Sequence, residues 1–271
     1  MPELPEVETV KNTLKKLIIG KKITNVTVNY SGIIEYPSVD DFCTSIVGEV
    51  INDISRRGKW LMFELDNYYL LSHLRMEGRY FYKNSHDEHY KHEHVIFELD
   101  KKMELRYIDT RKFGKMHLIK KELINLRKPL SELGLEPFDM MLDSDYLIKK
   151  YCNKKLPIKT VLLDQSIIVG IGNIYADEIL FLSKINPLKR AMDLKNDECN
   201  SIIENARNVL NQAIKAGGTT IKSYESSEGV HGRFQTMLYV HGKEKCQKCN
   251  QKIEKIRVGG RGTYYCPNCQ K

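Results

Sequence analysis

Four cysteines near the C-terminal end carry the plainest chemistry in the chain. Two residues separate Cys246 from Cys249, two separate Cys266 from Cys269, and sixteen lie between the pairs. Two such knuckles offer four thiolates to one ion. A full tetrahedron of sulfur leaves no open position, so the expected cofactor is one zinc in a structural role. Disulfides and inert core thiols are the other uses of cysteine. The chain opens with acids and prolines, with neither a basic nor an apolar leader region, and its seven cysteines are an odd number. That fits a reducing compartment and disfavours disulfides. Cys43, Cys152 and Cys199 show no ligand spacing and are expected as small buried hydrophobes.

Between the knuckles run Ile253, Ile256 and Val258, then Gly259-Gly260-Arg261-Gly262, then Tyr264-Tyr265. Two short strands joined by a glycine-rich tip would project Arg261 outward. An arginine at a hairpin tip is ordinarily just solvated, but a basic hairpin held by zinc suits phosphate contact. The net charge is +8, and residues 231–271 carry nine Lys/Arg against two Glu, a local +7 that four metal-bound thiolates would lower by two. A surplus gathered in so short a segment suits a polyanionic partner. On charge alone, a solvated tail remains the alternative.

The elements that must position this hairpin follow from periodicity. A length of 271 residues suggests about two domains, and 41% hydrophobic residues can bury a substantial core. No run approaches the roughly 20 apolar residues needed to span a bilayer, so no membrane partner is expected and the cytoplasm is the expected location. Residues 5–19 read as an amphipathic helix with Val7, Val10, Leu14, Leu17 and Ile18 on one face, Pro5 and acids in the first turn, and Gly20 as the stop. From Ile23 to about Ile119 the pattern becomes β-rich. It includes Ile23–Tyr30, Trp60–Leu65, Tyr68–Leu74, His94–Leu99 and Met103–Ile108, with Asp100-Lys101-Lys102 as a hairpin turn. Many short strands suggest a sandwich or barrel. After Leu130 the period is helical, clearest at Ile158–Leu163, Ile174–Leu182 and Asp197–Lys215, the last closed by Gly217-Gly218. A polar stretch from Ser223 to Arg233 precedes the cysteine-rich tail. There are no internal repeats and no low-complexity region.

Six separated motifs, in order along essentially the whole chain, carry a resemblance. They are Pro2-Glu3-Leu4-Pro5-Glu6-Val7-Glu8-Thr9, Arg57-Gly58-Lys59, His73-Leu74-x-Met76-x-Gly78, Asp109-x-Arg111-Lys112-Phe113-Gly114, Gly170-Ile171-Gly172-Asn173-Ile174-Tyr175-Ala176, and the four cysteines. The set resembles the formamidopyrimidine-DNA glycosylases, and Leu4 resembles the purine-lesion branch rather than the endonuclease VIII type. The resemblance implies an α+β multidomain fold: an N-terminal β-sandwich with flanking helices over 1–130, a helix–two-turns–helix middle domain over 131–230, and a C-terminal zinc finger over 237–271. Gly170-Ile171-Gly172 could pass for a dinucleotide loop, but Tyr175 stands where a third glycine belongs. By similarity the turn belongs to the helix–two-turns–helix unit, where Asn173 and backbone amides would bind phosphate.

The resemblance also implies an activity. A monomeric repair enzyme would bind double-stranded DNA containing oxidised bases, excise 8-oxoguanine and formamidopyrimidines, and nick the strand by β,δ-elimination. With Met1 removed, Pro2 would be a free secondary amine, and α-amino groups titrate near pH 8, far below lysine. Attack on C1′ would expel the base and leave an iminium. Glu3 is implied as acid/base, where otherwise it would read as a first-turn acid complementing the helix dipole. Lys59 is implied at the lesion and its adjoining phosphate, and Arg261 on the phosphates flanking the extruded nucleotide. The nucleotide must leave the stack, and Met76, Arg111 and Phe113 match the residues that fill the void, with Arg111 on the orphaned base. His92 and Lys154 match DNA-contacting positions, and the loop from Gly217 to Tyr224 matches a segment closing over the flipped base. Lys112 stands where many relatives carry a second arginine, which would soften a bidentate phosphate contact. The rival readings are an endonuclease VIII-like enzyme acting on oxidised pyrimidines and a non-catalytic zinc-ribbon DNA-binding protein.

Overall fold

In the computed structural model, which describes residues 1–219 and 233–271, the chain forms two compact units. The first comprises Met1–Pro2 and Glu6–Ser131; the second comprises Glu3–Pro5, Glu132–Thr219 and the described residues after 232.

The first helix, α1 (Leu4–Ile18), forms for the reasons its sequence states. Val7, Val10, Leu14 and Ile18 are buried along one stripe, and Gly20 ends it in a left-handed conformation, φ 77°. Nine strands make two sheets. One is four-stranded, in the order β1 (Ile23–Val28), β7 (Glu93–Leu99), β8 (Met103–Ile108), β6 (Arg79–Asn84). The other is five-stranded, in the order β2 (Ile34–Tyr36), β9 (Lys115–Lys120), β5 (Tyr68–His73), β4 (Trp60–Glu64), β3 (Asp53–Arg57). Val26, Val95, Phe97 and Leu105 of the first sheet share a core with Ile54, Leu61, Phe63 and Leu70 of the second, the arrangement of a β-sandwich. A short helix, α2 (Val39–Ile46), is capped by Ser38, whose hydroxyl accepts the Asp41 N–H at 3.2 Å.

The strands read from the sequence are present within a residue or two at their ends. β2, β3, β6 and β9 were not legible. β3 shows why: Asp-Ile-Ser-Arg-Arg has one apolar residue, and its extended form comes from pairing with β4 rather than from its own pattern.

The second unit holds α3 (Ser144–Tyr151), α4 (Ile158–Leu162), α5 (Asn173–Leu182) and α6 (Asn196–Lys215). Asp143 caps α3, accepting the Tyr146 N–H at 2.8 Å. Every residue from Tyr175 to Phe181 is buried, so α5 is the central element of this unit. Gly217 and Gly218 end α6 with φ 74° and 80°. Beyond it lies the strand pair β10 (Glu254–Val258) and β11 (Arg261–Tyr265). Among the three cysteines expected in the core, only Cys199 is buried; Cys43 is half-buried and Cys152 exposed, because Cys152 follows the last turn of α3 on its open side. Of the loop expected to close over a flipped base, residues 220–224 lie outside the described residues.

Candidate functional site

The four expected metal ligands converge. Their sulfurs lie within 4.8 Å of one another, with Cys246–Cys269 at 3.9 Å and Cys249–Cys266 at 3.5 Å. An ion about 2.3 Å from each sulfur of a tetrahedron would set edges of about 3.8 Å, so the donor set fits zinc. The Cys249 thiol is lowered to about 6, first by the Gln251 backbone N–H and then by the Asn268 side chain. Cys269 is pushed up to about 12 by burial and by the other three sulfurs. A dication at the centre turns that repulsion between thiolates into coordination. Phe181, Val240 and Ile253 pack around the buried sulfurs of Cys246 and Cys266.

The hairpin carrying Arg261 is built for tightness. Val258 pairs with Arg261, leaving Gly259 and Gly260 as a two-residue turn with φ 54° and 77°. Positive φ at both positions is the type I′ geometry that matches strand twist, and it demands glycine. Gly259 also abuts α4: a Cβ there would lie 2.5 Å from the Thr160 hydroxyl oxygen. Two further ties hold the pair to α5, and a third holds His241 upstream of it. Asn173 Nδ2 donates to the Gly262 carbonyl at 2.9 Å, the Tyr264 N–H donates to Asp177 Oδ2 at 3.2 Å, and His241 Nδ1 lies 2.7 Å from the same oxygen. Lys159, fully buried, pairs with the other Asp177 oxygen and donates to the Asn173 carbonyl at 2.7 Å. Next to it, Glu178 accepts the N–H groups of Tyr239, Val240 and His241 at 2.7–3.0 Å, although burial pushes its carboxyl up. Arg261 itself is exposed.

Glu3 occupies the N-terminus of α5. Its Oε2 accepts the Gly172 N–H at 2.7 Å and the Tyr175 N–H at 3.4 Å, and its Oε1 accepts the Ile174 N–H at 2.9 Å. A helix start presents unpaired amides and partial positive charge, so a carboxylate belongs there. The glycines of this turn now have a reason. A Cβ on Gly172 would lie 2.3 Å from Glu3 Cδ; one on Gly170, where φ is 88°, would lie 2.5 Å from a Leu4 methyl carbon. The Leu4 N–H also donates to the Gly170 carbonyl at 3.0 Å. The turn that resembles a phosphate loop is thus filled by the protein's own first acid, and three of its backbone amides are already in use. Asn173 keeps its side-chain oxygen buried and without a protein partner.

In the first unit, Gly58 (φ 56°) and Lys59 form the two-residue turn between β3 and β4, and Lys59 is buried rather than at the surface. His73 is buried against Trp60 and accepts the Arg75 N–H on Nδ1 at 3.0 Å. Burial, then the charges of Arg75 and Lys59, lower it to about 3, so it stays neutral. Met76 is half-buried in the turn that follows. Arg111 and Phe113 are exposed in the turn after β8, with the guanidinium 4.7 Å from the Phe113 ring centre. The 48% exposure of Phe113 removes it from the core. Lys112, at φ 60°, sets its ammonium 4.5 Å from the Tyr30 ring centre, a cation–π contact. His92 has φ 78° and its carbonyl accepts the Asp109 N–H at 3.2 Å. Pro2 is buried beneath an exposed Met1. Lys154, in the second unit, is half-buried with Nζ 3.5 Å from Asp164.

The expected residues therefore fall into two groups. Lys59, Met76, His92, Arg111 and Phe113 sit in the sandwich; Glu3, Lys154, Asn173, Arg261 and the cysteines sit in the second unit, and the peptide bond between Pro2 and Glu3 links the two sets. Sequence reasoning missed Asp109 as an anchor, and Lys159, Asp177 and Glu178 altogether. An acid pair inside the apolar run of α5 was the one available signal, since buried acids need partners.

Three family models match the chain in order: the formamidopyrimidine-DNA glycosylase N-terminal domain over residues 1–116, the formamidopyrimidine-DNA glycosylase H2TH domain over 133–225, and a zinc finger found in FPG and IleRS over 243–271. The formamidopyrimidine-DNA glycosylase of Shouchella clausii is 47% identical, covering 100% of this chain and 99% of that protein. The one from Oceanobacillus iheyensis is 46% identical, covering 100% and 98%. Among solved structures, a Lactococcus lactis FPG variant in complex with a Fapy-dG containing DNA superposes with a TM-score of 0.93 at 38% identity, covering all of both chains. The Lactococcus lactis Fpg with an abasic site containing DNA gives 0.92 at 37%, covering 99% of each. The likeness thus extends over the full length of the chain, which belongs to the formamidopyrimidine-DNA glycosylase family, DNA glycosylases of base-excision repair.

Proposed function

We propose that this glycosylase removes oxidised purines from double-stranded DNA through an iminium on Pro2 and then nicks the strand. The observation that carries the reading is the seat of Glu3. Three amides at the start of α5 hold its carboxylate, and Pro2 is the residue directly before it in the chain. Proline's ring, with its locked φ, removes one more freedom. Once Met1 is cleaved off, the nitrogen lone pair attacks C1′. The C1′–base bond breaks and the base leaves with a proton from water, while the Glu3 carboxylate takes the proton shed by the attacking amine and passes it to the ring oxygen as the sugar opens to the iminium. The iminium withdraws electrons, so loss of a C2′ proton expels the 3′ phosphate. A second elimination expels the 5′ phosphate, and water returns the amine.

Lys59, Arg261, His92, Lys154 and Asn173 are the proposed contacts to the lesion and the strand, while Met76, Arg111 and Phe113 fill the void. An inserted apolar side chain costs a few kcal/mol of unstacking, offset by added contact with kinked DNA. Zinc supplies no step here; it holds the hairpin. We assign three domains, 1–130, 131–230 and 237–271, a monomer, and a cytoplasmic location, which agrees with the lack of any membrane-spanning helix among the described residues. Matched duplexes containing 8-oxoguanine or thymine glycol test the substrate class. Faster excision of 8-oxoguanine is expected; faster excision of thymine glycol would place the enzyme with the oxidised-pyrimidine type.

A further inference from the structure

We infer that Asp109 is the positioning residue that sets the proposed void-filling side chains, and through them the choice of the base opposite the lesion. The inference rests on the role assigned above to Arg111 and Phe113. Asp109 is fully buried, at the end of β8. Its Oδ1 accepts the Arg111 N–H at 3.0 Å, and its Oδ2 accepts the N–H groups of Phe113 and Gly114 at 2.9 and 2.8 Å. Its backbone is equally committed. The N–H donates to the His92 carbonyl at 3.2 Å, and the carbonyl oxygen lies 2.8 Å from His94 Nε2 and accepts the Lys112 N–H at 3.2 Å. One residue thus holds the exposed stretch 110–113, the buried Gly114 that ends it, and the strained residue His92 of a separate loop. Left-handed backbone at Lys112 and His92 persists only where surroundings impose it.

Tyr107 extends the same device. Its hydroxyl stands where side chains on two glycines would go: a Cβ on Gly114 would lie 1.7 Å from it, and one on Gly78 would lie 2.3 Å from it. Gly78 closes the turn that carries Met76. The Thr110 hydroxyl bonds Glu77 in that same turn. Both wedge-bearing turns therefore rest on β8, with Asp109 as the clamp and Tyr107 as the stop. A carboxylate is required because three N–H donors face it. An amide would turn one oxygen into an NH2 donor, set against donors it cannot satisfy.

The test compares Asp109→Asn with Arg111→Ala and wild type. Excision of 8-oxoguanine is measured opposite dC and opposite dA, and cleavage is measured at a pre-formed abasic site in single-stranded DNA. Asp109→Asn should shift the dC-to-dA ratio in the same direction as Arg111→Ala, and lower duplex excision about ten-fold. Cleavage of the single-stranded abasic site should fall less than about three-fold, since there is no base to extrude and no partner to read. Equal loss on all substrates, or an unchanged ratio where Arg111→Ala moves it, overturns the clamp. A ratio that Arg111→Ala leaves unmoved overturns the assignment of Arg111 and the inference with it. Should Asp109→Asn not fold, amide hydrogen exchange in the wild type decides. Slow exchange at Arg111 and Phe113, whose side chains are exposed, supports the clamp; exchange at the rate of free peptide overturns it.

Discussion

Arg111 and Arg261 are both exposed cations beside the ends of β-strands, and they are held by opposite means. Arg261 follows a two-residue glycine turn in a pair of strands fixed by four thiolates and by Asp177 and Asn173 of α5. Arg111 sits in an irregular turn whose amides fold inward onto the Asp109 carboxylate. Metal coordination makes the zinc hairpin a unit that is either formed or lost. The sandwich turn depends on neutral N–H donors and one carboxylate, so it can shift while its strands stay paired. Phosphate contact needs a stiff cation with little regard for sequence, whereas reading an orphaned base needs a placement that one side chain can tune.

The largest expected effect falls on the hairpin. Cys249→Ser should release zinc, whose binding in small fingers is worth on the order of 10 kcal/mol of folding free energy. The tail should unfold and duplex binding collapse, while the sandwich keeps its own thermal transition. Stoichiometric zinc in the purified variant would remove the metal from the argument. Next comes Asp177→Ala, which leaves the ammonium of Lys159 buried and unpaired. Breaking a buried pair from one side costs about 3–5 kcal/mol, so the melting transition of the second unit should drop well below wild type while that of the sandwich stays put. An unchanged melting point would mean the hairpin does not depend on α5.

The sandwich side has a pH signature. In the folded state His73, beneath the turn of Met76, is lowered to about 3, whereas the unfolded chain binds the proton near the ordinary histidine value of 6.5. A depressed value means the neutral form is the folded one. Its contribution is complete above about pH 6.5 and is lost as pH falls toward 3, by about 2 kcal/mol at pH 5. His73→Gln should flatten the pH dependence of stability between 6.5 and 4.5, read from denaturant titrations; slopes identical to wild type would show that His73 takes up its proton while folded. The smallest effect belongs to Arg261→Ala. Removing one phosphate contact should reduce the slope of log affinity against log salt by about 0.9, alike for many sequences. An unchanged slope takes Arg261 out of the interface.

The hairpin was readable because its restraints are local in sequence: cysteine pairs at ligand spacing, and glycines where the turn must be tight. α1 and α6 were readable for the same reason, with apolar stripes and glycine stops. The Asp109 clamp was not. Its three bonds lie within five residues, yet nothing in Asp-Thr-Arg-Lys-Phe-Gly distinguishes a buried acid from a turn acid exposed to water. The seat of Glu3 was further out of reach, since its partners lie 169–172 residues away. Only the family resemblance pointed there, and it named the residue without the three amides that hold it. β3 and β9 were missed because a strand can take its conformation from its neighbours.

The central claim, that the Pro2 nitrogen is the attacking group, is tested most directly by trapping. The purified protein is incubated with an 8-oxoguanine:C duplex in borohydride, which reduces an iminium to a stable amine, and the adduct is mapped by peptide mass. The result expected is DNA on Pro2 of chains that lack Met1, and none on chains that retain it, because an amide nitrogen has no free lone pair. An adduct on Lys59, or equal trapping of chains that keep Met1, would contradict it.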